Sequence, residues 1–259
     1  MNPFVVLASP RSGSGWLIDT LNSHPKIVAY TELFHHEART GPKYGASDVP
    51  YYETYVTSVS PWTRRASFCH RAMLLRRVYS GQPEVLAVGL KLMYGQAQAH
   101  WGLLPLLSIR RARAVHLIRA NLLEALVSWK VAQKTGIYHS RLGDTSSGAT
   151  VLLDPKRLRM RLEAQELAVS RARALLVRYR FPRLELAYEE LVARREETLG
   201  RVLSFLGVEP RVDLLDSSLV RTTSGGHLEL VENADDVRSA LTGTRFEWML
   251  GDQVAARAS

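Results

Sequence analysis

A single cysteine, Cys69, among 259 residues leaves nothing for an intramolecular disulfide or a thiol-only metal cluster. No apolar run approaches the roughly 18 residues that a membrane span needs. The first strand-like run begins at Phe4, which leaves no room for a signal peptide. Together these absences lead us to expect a cytoplasmic protein without a transmembrane segment. No Pro/Ser/Gly-rich linker, repeat or low-complexity tract divides the sequence, so residues 1–259 are expected to form one domain. A hydrophobic share of 46% supplies a large core for it. The histidines and acidic residues lack a metal-ligand spacing, so no metal is expected.

Lysine is also scarce. The chain holds 34 basic residues, only six of them lysines, against 25 acidic ones, for a formal net charge of +9. Such a balance favours anionic partners through the long-range field. The arginines are spread along the chain, with a modest concentration between Arg157 and Arg180 that reads as a solvated helix face. No nucleic-acid module accompanies them, and no specific nucleic-acid partner is expected.

The stretch Val5-Val6-Leu7-Ala8-Ser9-Pro10-Arg11-Ser12-Gly13-Ser14-Gly15-Trp16-Leu17 runs from an apolar strand through a Gly/Ser-rich turn into a helix. That layout turns successive backbone N–H groups, and the positive end of the helix dipole, toward one point where an anion is welcome. Arg11 adds a full charge. The nucleoside triphosphatase pattern GxxxxGK[ST] is absent, because no lysine precedes the serine, which argues against an ordinary ATPase.

Further apolar runs fall at Ile27–Tyr30, Val85–Met93, Ala114–Ile118 and Leu184–Tyr188, besides Phe4–Ser9. Helical periodicity over Ser14–Asn22, Ala66–Tyr79, Leu122–Gln133, Leu158–Arg178 and Glu196–Phe205 separates most of them. This alternation predicts an α/β fold with a central parallel sheet flanked by helices. Ligands of such sheets sit beyond the carboxyl ends of the strands, where the loops after residues 9, 30 and 118 lie. The stretch Lys134–Thr150 reads as an inserted loop, and Asn233 as the N-cap of a helix ended by Gly243.

The loop around Arg11 resembles the 5′-phosphosulfate loop of sulfotransferases, which transfer a sulfuryl group from 3′-phosphoadenosine-5′-phosphosulfate (PAPS) and release the bisphosphate PAP. Four more segments carry the resemblance: Tyr30-Thr31-Glu32-Leu33-Phe34, Gly89-Leu90-Lys91-Leu92-Met93-Tyr94, His116 through Arg119 to Ser128, and Ala187-Tyr188-Glu189-Glu190-Leu191. They span nearly the whole chain and are closest in pattern to bacterial carbohydrate and glycolipid sulfotransferases. The resemblance implies a P-loop NTPase-like three-layer fold and a PAPS-dependent O-sulfotransferase acting on a sugar, glycolipid or secondary metabolite.

It also implies roles. The backbone of Ser12, Gly13, Ser14, Gly15 and Trp16 would hold the 5′-phosphate, with Arg11 on the charge of the leaving group. Arg119 and Ser128 would hold the 3′-phosphate, although Ser128 falls nine residues after the arginine where many relatives have eight. Arg221, in the basic glycine-containing stretch 221–226, is a weaker contact of the same kind. Glu32 would be the general base, working best with its pKa raised by partial burial beside Leu33 and Phe34. His35 and His36 are the alternative proton acceptors and otherwise acceptor contacts. Lys91, a cation inside an apolar strand, demands a partner, which is either the sulfuryl group or Glu32. The tyrosines of 34–57 and the stretch 134–150 would shape the acceptor site, and an exposed apolar helix would permit a homodimer. A small-molecule kinase on a related scaffold and a non-catalytic nucleotide- or nucleic-acid-binding module remain alternatives.

Overall fold

The computed structural model describes residues 1–35, 49–59, 67–80, 83–138, 140–141, 148–220 and 226–251. Five of its strands form one parallel sheet: β1 (Asn2–Ala8), β2 (Ile27–Tyr30), β3 (Ala87–Met93), β4 (Arg113–Ile118) and β6 (Arg183–Ala187), in the order β2-β3-β1-β4-β6. A two-residue pair, β5 (Ser140–Arg141) with β7 (Leu219–Val220), is antiparallel and separate. The helices are α1 (Ser14–Ser23), α2 (Tyr52–Val59), α3 (Ser67–Val78), α4 (Tyr94–Ala99), α5 (Leu103–Ile109), α6 (Leu122–Thr135), α7 (Pro155–Arg178), α8 (Tyr188–Ala193), α9 (Arg195–Leu206) and α10 (Ala234–Leu241).

The unbroken apolar run of β1 follows from its place in the middle. Phe4, Val6 and Ala8 pack on one side against Leu17, Ile18 and Leu21 of α1 and Leu199, Val202 and Leu203 of α9. Val5 and Leu7 alternate to the other side, against Leu74 and Leu75 of α3, Leu103 and Leu107 of α5, and Leu176 of α7. A strand covered on both faces has no solvent-facing positions to make polar. On the neighbouring β3, Gly89 sits under the Phe4 ring: a Cβ there would lie 2.4 Å from a ring carbon. A third cluster, built from α6, the start of α7, α10, Phe246 and Met249, flanks this sandwich.

The chain leaves β1 through α1 to the edge strand β2, returns to β3, and then crosses β1 to reach β4. The direction of winding therefore reverses at β1. A parallel sheet opens a crevice at such a point, at the carboxyl ends of its strands. The loop after β1, the turn after β4 and the end of β3 all meet there. Among the described residues no helix is long and apolar enough to cross a membrane.

The expected strands are all present, with β3 starting two residues later than its apolar run. Helix α7 starts earlier than its periodicity indicated, because Asp154 accepts from the Lys156 N–H at 3.1 Å and Pro155 occupies the first turn. One capping expectation fails. Asn233 precedes α10, but its side chain makes no cap; it binds the Leu153 backbone instead, accepting at 3.1 Å and donating at 2.8 Å. Lys134–Thr150 is likewise not simply a loop, since α6 runs on to Thr135 before Gly136 ends it in the left-handed region.

Candidate active site

Between β1 and α1 the chain turns through two left-handed residues within three positions, Arg11 at φ +63° and Gly13 at φ +81°. That conformation is costly for arginine and free for glycine, and it clusters at functional sites. Gly13 is required twice over, since a Cβ on it would lie 2.3 Å from the Tyr188 ring. The buried Ser12 hydroxyl donates to the Ser9 carbonyl at 2.8 Å and so staples the turn. No side chain caps α1 and its first turn carries no acidic residue, leaving that N-terminus electropositive. Ser14 and Gly15 are buried in this first turn. The Trp16 ring turns aside to Arg195, whose guanidinium lies 5.2 Å from the ring centroid.

Arg11, Ser128 and Arg119 converge behind this loop. Arg11 donates through Nε to Ser128 Oγ at 3.0 Å and through Nη1 to the Tyr138 carbonyl. Ser128, despite its shifted spacing, is thus on the buried side of α6 and joined to the loop. Arg119, at the end of β4, donates through Nη1 to the Arg11 carbonyl at 2.8 Å and pairs through Nη2 with Glu124 at 2.5 Å. Its guanidinium lies 4.6 Å from the Tyr188 ring centroid. Its Nε is buried without a partner. An orphaned donor on a 6% exposed cation is costly in a folded chain.

The donors of the following turn, by contrast, are spent on the protein. The two Glu189 carboxylate oxygens accept from the Ala120 and Asn121 N–H groups at 3.0 Å each, and Asn121 caps α6 by accepting from Glu124 N at 3.0 Å.

Glu32 and Lys91 form the second cluster. Lys91 Nζ lies 2.8 Å from Glu32 Oε1, with Lys91 2% and Glu32 24% exposed. The buried lysine therefore has Glu32 as a partner, one of the two alternatives the sequence posed. Gln96 donates to Glu32 Oε2 at 2.8 Å. Burial pushes the Glu32 carboxyl up, but the Lys91 charge and hydrogen bond, with His35 and Gln96, outweigh it and hold the group below the ordinary carboxylate range. This corrects the expected rise: partial burial beside Leu33 and Phe34 does not win against a cation in contact. His35 follows closely, its N–H donating to the Glu32 carbonyl at 3.1 Å. His36 and Arg221 lie outside the described residues.

Several residues of this site were not singled out from the sequence. Gln96 belongs to a helix too short to show a period, and Glu124 is one of nine buried residues in the first eleven positions of α6. Tyr188 and Glu189 stood in a quoted motif without a role. Their signal was position, directly after an apolar strand.

Residues 3–212 match the family model described as "Sulfotransferase family". The chain belongs to the sulfotransferase family. Solved structures similar to this sulfotransferase include one from Alicyclobacillus acidocaldarius, at 16% identity and TM-score 0.44, covering 96% of both chains. The sulfotransferase domain of the Synechococcus PCC 7002 olefin synthase is 17% identical, with TM-score 0.40, covering 100% of this chain and 90% of that one. The sulfotransferase domain of the curacin biosynthetic pathway is 15% identical, with TM-score 0.43, covering 96% and 89%. Among curated proteins none matches this sulfotransferase.

Proposed function

We propose that this sulfotransferase takes its sulfuryl group from PAPS and delivers it to a hydroxyl of a sugar, glycolipid or secondary metabolite. The observation that carries the reading is the convergence of Arg11, Ser128 and Arg119 behind the left-handed loop of Arg11 and Gly13, at the uncapped N-terminus of α1, a set of donors of a kind that suits phosphate groups.

In this reading the loop from Ser12 to Trp16 receives the 5′-phosphate on backbone N–H groups, and Arg119 with Ser128 receives the 3′-phosphate. Arg221 would add to the latter. The acceptor oxygen forms its bond to sulfur as the bond from sulfur to the 5′-phosphate oxygen breaks. Negative charge gathers on the departing oxygen, where Arg11 stabilises it, as in other loose group transfers, while Lys91, paired with Glu32, faces the sulfuryl group. Glu32 takes the acceptor proton. The Lys91 and Gln96 contacts that orient it also hold its pKa low, so in this reading its basicity rises only as the Lys91 charge is shared with the transferring group. His35 and His36 would contact the acceptor. The protein would act in the cytoplasm as a single domain, with self-association open to it.

The experiment is transfer from radiolabelled PAPS to a panel of sugars, glycolipids and hydroxylated secondary metabolites. Label in a sulfated product supports the reading. Label transfer from ATP with Mg²⁺ instead would assign a kinase.

A further inference from the structure

Across β1 from the candidate base lies a chain of polar side chains that the proposed transfer does not use. His116, on β4, pairs in register with Leu7, and Met93, on β3, pairs with Ala8. Strands β3 and β4 do not touch, because β1 runs between them, and two strand spacings separate them by about 9.5 Å. The Tyr94 side chain nevertheless bridges that gap: its hydroxyl lies 2.6 Å from His116 Nε2. It crosses where β1 leaves the sheet for the Ser9–Gly13 loop.

The rest of the chain fixes the direction of this bond. His116 Nδ1 lies 2.9 Å from Glu185 Oε2, and Arg173 holds the same carboxylate through Nε at 2.9 Å and Nη2 at 2.7 Å. A carboxylate paired with arginine only accepts, so the His116 proton sits on Nδ1 and Nε2 accepts from Tyr94. Burial holds His116 below the ordinary histidine range against the pull of Glu185, and Arg173 adds to the lowering. Burial likewise lifts the Tyr94 phenol, and Glu185 lifts it further, so it keeps its proton. Tyr94 from α4, Glu185 from β6 and Arg173 from α7 are the titratable groups that act here.

Tyr94 is also the first residue of α4, a helix of six residues, too short to hold its own orientation. Two positions on, Gln96 accepts from the Met93 N–H at 3.0 Å and donates to Glu32 at 2.8 Å. One short turn thus carries both the anchor to His116 and the amide that orients Glu32.

We propose that His116 is a positioning residue: through Tyr94 it pins the first turn of α4, and through Gln96 it sets the Glu32 carboxylate. Its meaning for catalysis rests on Glu32 being the base.

The test needs neither donor nor acceptor. The Glu32 side-chain carboxyl is followed by carbon NMR through a pH titration in the wild type, Tyr94→Phe, Gln96→Leu and the double variant. Tyr94→Phe removes one hydroxyl, and its thermal unfolding midpoint reports that the fold survives. The Glu32 midpoint is expected to rise above the wild-type value in each single variant. The double variant is expected to match Gln96→Leu alone, since both changes act through one amide. An unchanged midpoint in Tyr94→Phe, or additive shifts in the double variant, overturns the proposal. On the wild type alone, nitrogen NMR of His116 is expected to show the proton on Nδ1; a proton on Nε2 also overturns it. A Glu32→Gln variant with full transferase rate would instead sink the base assignment and leave these titrations as they stand.

Discussion

The Arg119 guanidinium lies 4.6 Å from the centroid of the Tyr188 ring, and that same ring fills the space that a side chain on Gly13 would need. One aromatic residue at the start of α8 therefore sets the separation between the loop after β1 and the turn after β4. Arg119 closes the arrangement by donating to the Arg11 carbonyl.

Gly13→Ala tests the loop. The methyl group meets the Tyr188 ring and φ +81° is strained for alanine, so a loss of stability of about 1–3 kcal/mol is expected together with loss of PAP binding. Thermal unfolding and calorimetry measure the two. Unaltered binding would detach the loop from nucleotide recognition.

Glu32→Gln tests the base. The amide keeps the size of the side chain and loses the proton acceptor, so turnover with an identified acceptor should fall by about 100-fold or more while PAP affinity is retained. A rate within a few-fold of the wild type would move the role to another group, His35 or His36 being the alternatives.

Stability should depend on pH with a definite sign. Burial, with Lys26 and Arg211, holds His24 low, and burial holds His116 low, both below the ordinary value of 6.5. The unfolded chain therefore binds more protons than the folded one once pH drops below about 6.5, and stability falls as pH falls from there. Glu32 and Glu185, also held low, extend the loss below about 4.5. Melting temperatures between pH 8 and pH 4 check this. A protein stabilised on moving from pH 7 to pH 5 would contradict it.

Ser128→Ala removes the hydroxyl that Arg11 Nε reaches at 3.0 Å. PAP affinity should weaken by about tenfold, the scale of one hydrogen bond to a charged group. Because α6 is buried around Ser128, an unfolding scan accompanies the titration and separates a local loss from a global one.

The sheet was legible because burial on both faces writes itself as long apolar runs, as over Phe4–Ala8 and Ala87–Leu92. The turn after β1 was legible because Gly13 and the serines leave few other conformations. The shortest helices were not. Tyr94–Ala99 and Leu103–Ile109 span too few turns to establish a period, and so Gln96, which orients Glu32, stayed invisible. Nor did the sequence reveal the sign of the Glu32 shift, which depends on a 2.8 Å contact between residues 59 positions apart. Ser128 was ambiguous by one position of spacing, and its 3.0 Å contact with Arg11 joins residues 117 positions apart, beyond the reach of a local pattern.

The most direct measurement is calorimetric titration of the wild type and Arg119→Ala with PAP, with 5′-AMP and with ATP plus Mg²⁺. The wild type should prefer PAP, and Arg119→Ala should lose about 10–100-fold of PAP affinity, the scale of a charge-assisted hydrogen bond, with 5′-AMP little changed. Preference for ATP with Mg²⁺, or equal losses for PAP and 5′-AMP in the variant, would contradict the assignment of a bisphosphate donor site.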